Sequence, residues 1–224
     1  MALTAKGRIW TATVLAAGMF AGIGAANAAQ CGSNAAGYHT WLQQTMKEAA
    51  ARGIGKAGIN ALANTHYAQA TINADRNQKS FKLSFDQFMQ KRGATTIISR
   101  GKAMKRQNAA LFAGIERRYG VPAGPLIAIW GMETGFGSYM GRQNTLSAVA
   151  TLAYDCRRSD FFTGQLYAAL HLVDRGDLKP NAIGAMHGEI GQTQFMPANV
   201  LKYGVDGDGS GHIDMAGSRA DALY

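Results

Sequence analysis

Acidic residues are scarce in this chain: 14 Asp and Glu stand against 23 Lys and Arg in 224 residues. The positive excess is scattered, with no Lys/Arg block interleaved with aromatics, which excludes a nucleic-acid reading. An anionic polymer such as cell wall suits that charge, and plain solubility explains it equally well. Cysteine is scarcer still, at two residues, Cys31 and Cys156. The lack of a Cys/His cluster excludes catalytic zinc. In an exported chain an even count suggests a disulfide, which closes a loop long enough to stabilise by about 4–5 kcal/mol in the chain-entropy model. A nucleophilic Cys156 is the alternative, although no local His accompanies it. Sustained strand alternation is missing, so any sheet is small. Repeats and low-complexity linkers are absent as well.

What is present at the N-terminus is a leader. Lys6 and Arg8 precede an apolar run from Ile9 to Ile23, and Ala26-Asn27-Ala28 supplies an A-x-A cleavage site. The run is short and broken by glycines, which favours cleavage over a retained membrane anchor. Cys31 follows Gln30, where lipidation needs a small residue. Cleavage removes two of the basic residues and none of the acidic ones, so the mature chain stays positive.

Helical spacing of apolar residues predicts helices over Tyr38–Ala51, Ile59–Thr71, Ser84–Lys91, Thr95–Tyr119 and Phe161–Asp174. Gly120 ends the fourth, and Pro122 and Pro125 open another. That helix delivers Glu133, at the end of Pro125-Leu-Ile-Ala-Ile-Trp-Gly-Met-Glu-Thr-Gly-Phe-Gly137. Between Pro122 and Arg142 there is no other carboxylate and no earlier base. Burial in such a run raises a carboxyl pKa and prepares a general acid for a glycosidic oxygen. A helix-terminal Glu reaching water past the glycines fits the spacing equally well.

Trp130-Gly-Met-Glu-Thr-Gly-Phe-Gly137 resembles the Glu-Ser/Thr motif of the B-type lytic murein transglycosylases. Three further segments match in the family's order: Gly141 to Tyr154 leading to Arg157-Arg158, then Gly191-Gln-Thr-Gln-Phe-Met-Pro197, then Asp206 to Asp214. The resemblance runs from about Ala110 to Ala222. It implies a mainly α (α+β) fold: a helical N-terminal lobe over 29–109, and a lysozyme-like core over 110–224 with a small or absent β element. It also implies that Glu133 is the catalytic acid and then base of a non-hydrolytic cleavage of peptidoglycan glycan strands, which forms 1,6-anhydromuramic acid. Arg157, Arg158, Gln194 and Phe195 are expected to contact substrate. The enzyme is expected to be a periplasmic monomer with no cofactor for catalysis and no retained transmembrane anchor.

Asp206-Gly-Asp-Gly-Ser-Gly-His-Ile-Asp214 follows calcium-loop spacing, with Asp206, Asp208 and Ser210 at positions 1, 3 and 5, glycine at 6 and the His212 carbonyl at 7. Gly217 stands where the bidentate Glu at position 12 is usual, and by resemblance Asp221 closes the loop instead. The expected ion is structural, and a Gly/Asp-rich turn without metal is the alternative. Two rival functions stay open: a hydrolytic muramidase with Glu189 as second carboxylate, and an inactive wall-binding module. Family members continue past this loop, so the core over 110–224 reads as truncated at Tyr224, either as a fragment of a longer protein or as a shortened, poorly active product.

Overall fold

Hydroxyls on one buried helix decide how the first part of the chain folds. The structure, a computed structural model, describes residues 29–77 and 82–224. The leader read over 1–28 lies outside the described residues. Helix α1 (Tyr38–Ala51) occupies the span predicted for it. The single helix predicted over Ile59–Thr71 is two helices, α2 (Lys56–Ala63) and α3 (Gln69–Arg76). The break is tertiary in origin. In the connection, the His66 N–H donates to Ser147 Oγ at 3.3 Å and the Ala68 N–H to Thr151 Oγ1 at 2.8 Å. Both hydroxyls sit on α8 (Thr145–Tyr154), so the connecting backbone is satisfied outside a helix.

Every residue of α8 is buried, so it has no wet face and no amphipathic stripe to betray it in the sequence. Asn144 caps its start, accepting the Ser147 N–H at 2.8 Å. Helix α9 (Ser159–Arg175) packs along α8 and ends at left-handed Gly176. The fourth predicted helix also divides, into α5 (Ala94–Gln107) and α6 (Ala109–Tyr119), with α4 (Phe85–Lys91) before them. At the division the Asn108 side-chain amide donates to the Met104 carbonyl at 2.9 Å, the local competition that makes Asn a poor helix-interior residue. Helix α7 (Ala123–Thr134) starts at Pro122, with Pro125 in the first turn where no donor is missed. Strands β1 (Gln143–Asn144) and β2 (Ile183–Gly184) form an antiparallel pair, the small sheet of a mainly helical fold. A single 3-10 turn (Ala35–Gly37) leads into α1, and two short helices, α10 (Pro197–Tyr203) and α11 (Arg219–Leu223), lie towards the C-terminus.

Two hydrophobic clusters result. The first joins α1, α2 and Ile72 of α3 to α8, α9 and Val200 of α10. The second gathers Phe112, Ile115, Ala123, Trp130, Phe136 and Leu223, with Ile97 and Met104 of α5 packed against them. The stretch read as an N-terminal lobe, 29–109, therefore contributes to both. Cys31 and Cys156 are bonded across 125 residues, with a Cα–Cα distance of 5.0 Å, so neither cysteine is free. Beside the bond, the Gly32 N–H donates to the Tyr154 carbonyl at 2.9 Å. No helix among the described residues is long and apolar enough to cross a membrane.

Candidate active site

Helix α7 is apolar for most of its length, and it sorts its residues by turning. Trp130 faces inward and is fully buried, while Ile129, Met132 and Glu133 face out. Of the two readings of Glu133, the structure has the helix-terminal side chain that reaches water: it is exposed, because its apolar neighbours in sequence point to the other side of the helix. It still lines a surface depression, together with Lys91, Arg92, Arg100, Ser138 and Tyr139. Among the described residues lining that depression, Glu133 is the sole carboxylate. Arg100 is held over the Phe136 ring at 5.3 Å, which fixes one cation at its edge. Ile129 precedes Glu133 by one turn on the same helix face, and there it lines an apolar groove with Phe195, Tyr203 and Tyr224. Thus the groove abuts the helix face that carries the acid.

The end of α7 is fixed by a residue that sequence reasoning passed over. Gln192 is buried, and its side-chain oxygen accepts the Trp130 indole N–H at 3.0 Å. Its amide nitrogen donates to the Ala216 carbonyl at 3.0 Å. The Thr134 hydroxyl, next to Glu133, donates to the Gln192 carbonyl at 2.6 Å, and the Gln192 N–H donates to the Met215 carbonyl at 2.9 Å. The signal was present, since Gln192 lies inside Gly191-Gln-Thr-Gln, but the reading singled out Gln194. Helix α7 then stops at left-handed Gly135, and Phe136 follows at φ 66°, an unusual conformation for a non-glycine residue. Its ring packs edge-on to Trp130, with centroids 5.3 Å apart, and holds it there.

Gln194 is half-buried at φ 53° and donates to the Gly191 carbonyl at 2.8 Å and the Met140 carbonyl at 3.4 Å. Phe195 is exposed in the apolar groove. The arginine pair is differently placed. Arg157 and Arg158 both pair with the buried carboxylate of Asp75 in α3, and Arg158 also lies over the Phe162 ring at 4.8 Å. They line a depression beside the disulfide that shares no described residue with the one lined by Glu133. There they form an ion-paired tie between α3 and the start of α9. Glu189 is also committed: it accepts the His187 N–H at 3.1 Å and faces that ring at 3.4 Å. Burial pushes its carboxyl pKa up, but the bonds from His187 and from its own backbone pull further, leaving it below the ordinary value.

The sequence family described as the transglycosylase SLT domain matches residues 37–224. This chain belongs to that family. Over 99 residues it is 39% identical to the membrane-bound lytic murein transglycosylase B of Escherichia coli K12, covering 43% of this chain and 27% of that protein. SltB3 of Pseudomonas aeruginosa, solved in complex with NAG-anhNAM-pentapeptide, superposes with a TM-score of 0.78 at 36% identity, over 83% of this chain and 50% of that one. The soluble lytic transglycosylase SltB1 of the same organism gives 0.74 at 29% identity, over 81% and 63%. This SLT-domain chain thus spans about half the length of SltB3, and the mainly helical, lysozyme-like class expected of it holds.

In this SLT-domain chain the acidic loop is folded on itself. Asp206 Oδ1 accepts the N–H groups of Gly209 and Ser210 at 2.8 and 3.0 Å. Asp221, buried, accepts the N–H groups of Gly207 and Asp214 at 2.8 and 2.7 Å. Asp206, Asp208 and Asp221 each offer an oxygen within 4.8 Å of the other two, a hard-oxygen set suited to calcium. Hydrogen bonds from Ser218 and then Ser210 hold the exposed Asp208 carboxyl below its usual range. Ser210 Oγ donates to the His212 carbonyl at 3.2 Å, so these two expected ligands are bonded to each other. The His212 ring turns away, 3.6 Å from Asp177.

Proposed function

We propose that this chain is a lytic transglycosylase that cleaves the β-1,4 bond between N-acetylmuramic acid and N-acetylglucosamine and closes a 1,6-anhydro ring on the muramoyl residue. Glu133 acts as acid and then as base. Its carboxyl gives a proton to the glycosidic oxygen as the bond to C1 breaks. The carboxylate then takes the proton of the muramoyl 6-hydroxyl, whose oxygen bonds to C1. The residue ends as it began, and no water is consumed. Attack from within the sugar has the entropic advantage of an intramolecular step, so one carboxylate serves both proton transfers. Most hydrolytic glycosidases use a second one, to activate water or to attack the sugar.

The observation that carries this reading is a solitary carboxylate in a depression otherwise charged only by Lys91, Arg92 and Arg100. Those cations suit the carboxylates of wall peptides. SltB3, at 36% identity, was solved with a ligand containing anhNAM, which supports the ring-closing outcome here. A glycan lying on α7 covers Glu133 and supplies the desolvation the free chain lacks. Phe195 and Gln194 belong to the same proposal as sugar contacts; Arg157 and Arg158, paired with Asp75, line a separate depression, where they would meet a more distant part of the wall polymer. Digestion of purified sacculi tests the reading. Anhydro-muropeptides are expected; reducing ends would replace it with hydrolysis, and binding without soluble product would remove the activity.

The same proposal includes export to the periplasm, loss of the leader, action as a monomer and a structural calcium. Asp206, Asp208, Ser210, the His212 carbonyl and Asp221 would hold the ion, with Ser210 Oγ turning from the carbonyl to the metal. Calcium at a hundredfold excess over its Kd is expected to stabilise by about 2.7 kcal/mol, raising Tm by about 5–10 °C for a chain of this size. Asp221→Asn should lose that increment. A melting temperature indifferent to both calcium and chelator removes the metal from the proposal.

A further inference from the structure

We infer that Glu48 is the seat of a new N-terminus: cleavage after Ala28 frees the α-amino group of Ala29, and the Glu48 carboxylate receives it as an ion pair. The inference rests on the export reading and goes beyond it, since a cleavage motif says nothing of where the new end goes. In the structure the Ala29 nitrogen donates to Glu48 Oε1 at 2.7 Å across 19 residues. Ala29 is half-buried against the first hydrophobic cluster, and Glu48 is half-buried in the last turn of α1. Two residues later the chain is fastened by the Cys31–Cys156 bond, and at the next by the Gly32 backbone pairing with Tyr154 and Cys156. Ala29 is therefore held close to Glu48 with little freedom to leave.

Cleavage changes the chemistry of this contact without moving it. A signal peptidase selecting small residues at A-x-A adds water across the Ala28–Ala29 peptide bond. Ala28 leaves as a carboxylate, and the Ala29 nitrogen, formerly an amide with one donor, takes a proton and becomes an ammonium with three. A neutral hydrogen bond thus becomes a charge-assisted one. The charged groups around it are few. Arg157, Arg158 and Asp160 line the depression shared with Ala29 and Cys31. Asp75 already pairs with both arginines. Arg52, one turn beyond Glu48, lies over the Tyr167 ring at 4.5 Å.

The sign of the pH dependence follows. A carboxylate partner raises the pKa of the amine above its unfolded value of about 7.7–8.0. The added stability is therefore complete below that value and disappears as pH rises through the folded pKa.

The full chain, exported and purified from the periplasm, tests the inference. N-terminal sequencing is expected to start at Ala29. Glu48→Gln is expected to lower Tm by about 2–4 °C at pH 6, and by clearly less at pH 9.5. Inserting Gly-Ser between Ala28 and Ala29 keeps the cleavage site but moves the amine away. It should lower Tm by itself at pH 6 and reduce the further effect of Glu48→Gln to that of a neutral hydrogen bond, because the Ala29 amide still donates to Glu48. An equal Glu48→Gln shift with and without the insertion overturns the seat while leaving export intact, as does a mature chain starting elsewhere. Recovery of the chain with residues 1–28 attached overturns export and the seat together.

Discussion

Glu133→Gln is expected to lower the release of soluble muropeptides from sacculi by about 10³- to 10⁴-fold, the upper part of the range for general acid–base groups. The amide is isosteric but can neither give the first proton nor take the second, so both halves of the reaction fail together. Binding to sacculi should stay within about twofold, because the cations of the depression and the Phe195 groove are untouched. The melting temperature should move by less than about 2 °C, since exposed side chains of this kind contribute little to folding. Retained lysis by this variant would refute the assignment of Glu133. Lost lysis with lost binding would point to misfolding, which the melting curve detects.

Removing the disulfide should produce the largest change in stability. Cys31→Ser with Cys156→Ser is expected to cost about 4–5 kcal/mol at most, because the bond closes a loop spanning 125 residues. For a chain of this length that corresponds to a fall in Tm on the order of 10–20 °C. Denaturant titration of oxidised wild type against the double variant measures it. A loss below about 1 kcal/mol would mean that the unfolded chain is not the principal thing the bond restrains. The double variant also frees the segment that carries Ala29, so its N-terminal amides should exchange faster than those of α8.

Single residues with strong local signals were legible in the sequence. Glu133 was found because a lone carboxylate in an apolar run is rare, and α1 and α9 because each has a wet face. Whether Glu133 is buried or exposed stayed open in the sequence, since it depends on which side of α7 meets Trp130's neighbours. Helix α8 escaped because burial on all sides erases periodicity. The two predicted helices that divide did so for different reasons: Asn108 acts locally and could have been read, whereas the 64–68 connection answers to hydroxyls on a helix about 80 residues away. Arg157 and Arg158 illustrate the same limit. Their proximity was visible, but Asp75, which takes both, is brought to them only by the packing of α3.

Gln192 has a consequence for what this chain can tolerate as it diverges. Its side chain meets an indole donor on one prong and a carbonyl acceptor on the other, and only a carboxamide answers both. Glutamate at this position would confront the Ala216 carbonyl with a second acceptor, and leucine would strand the Trp130 N–H in a dry interior. Since the same residue anchors the turn beside Glu133 and the approach to the acidic loop, drift in any of the three is vetoed by the other two.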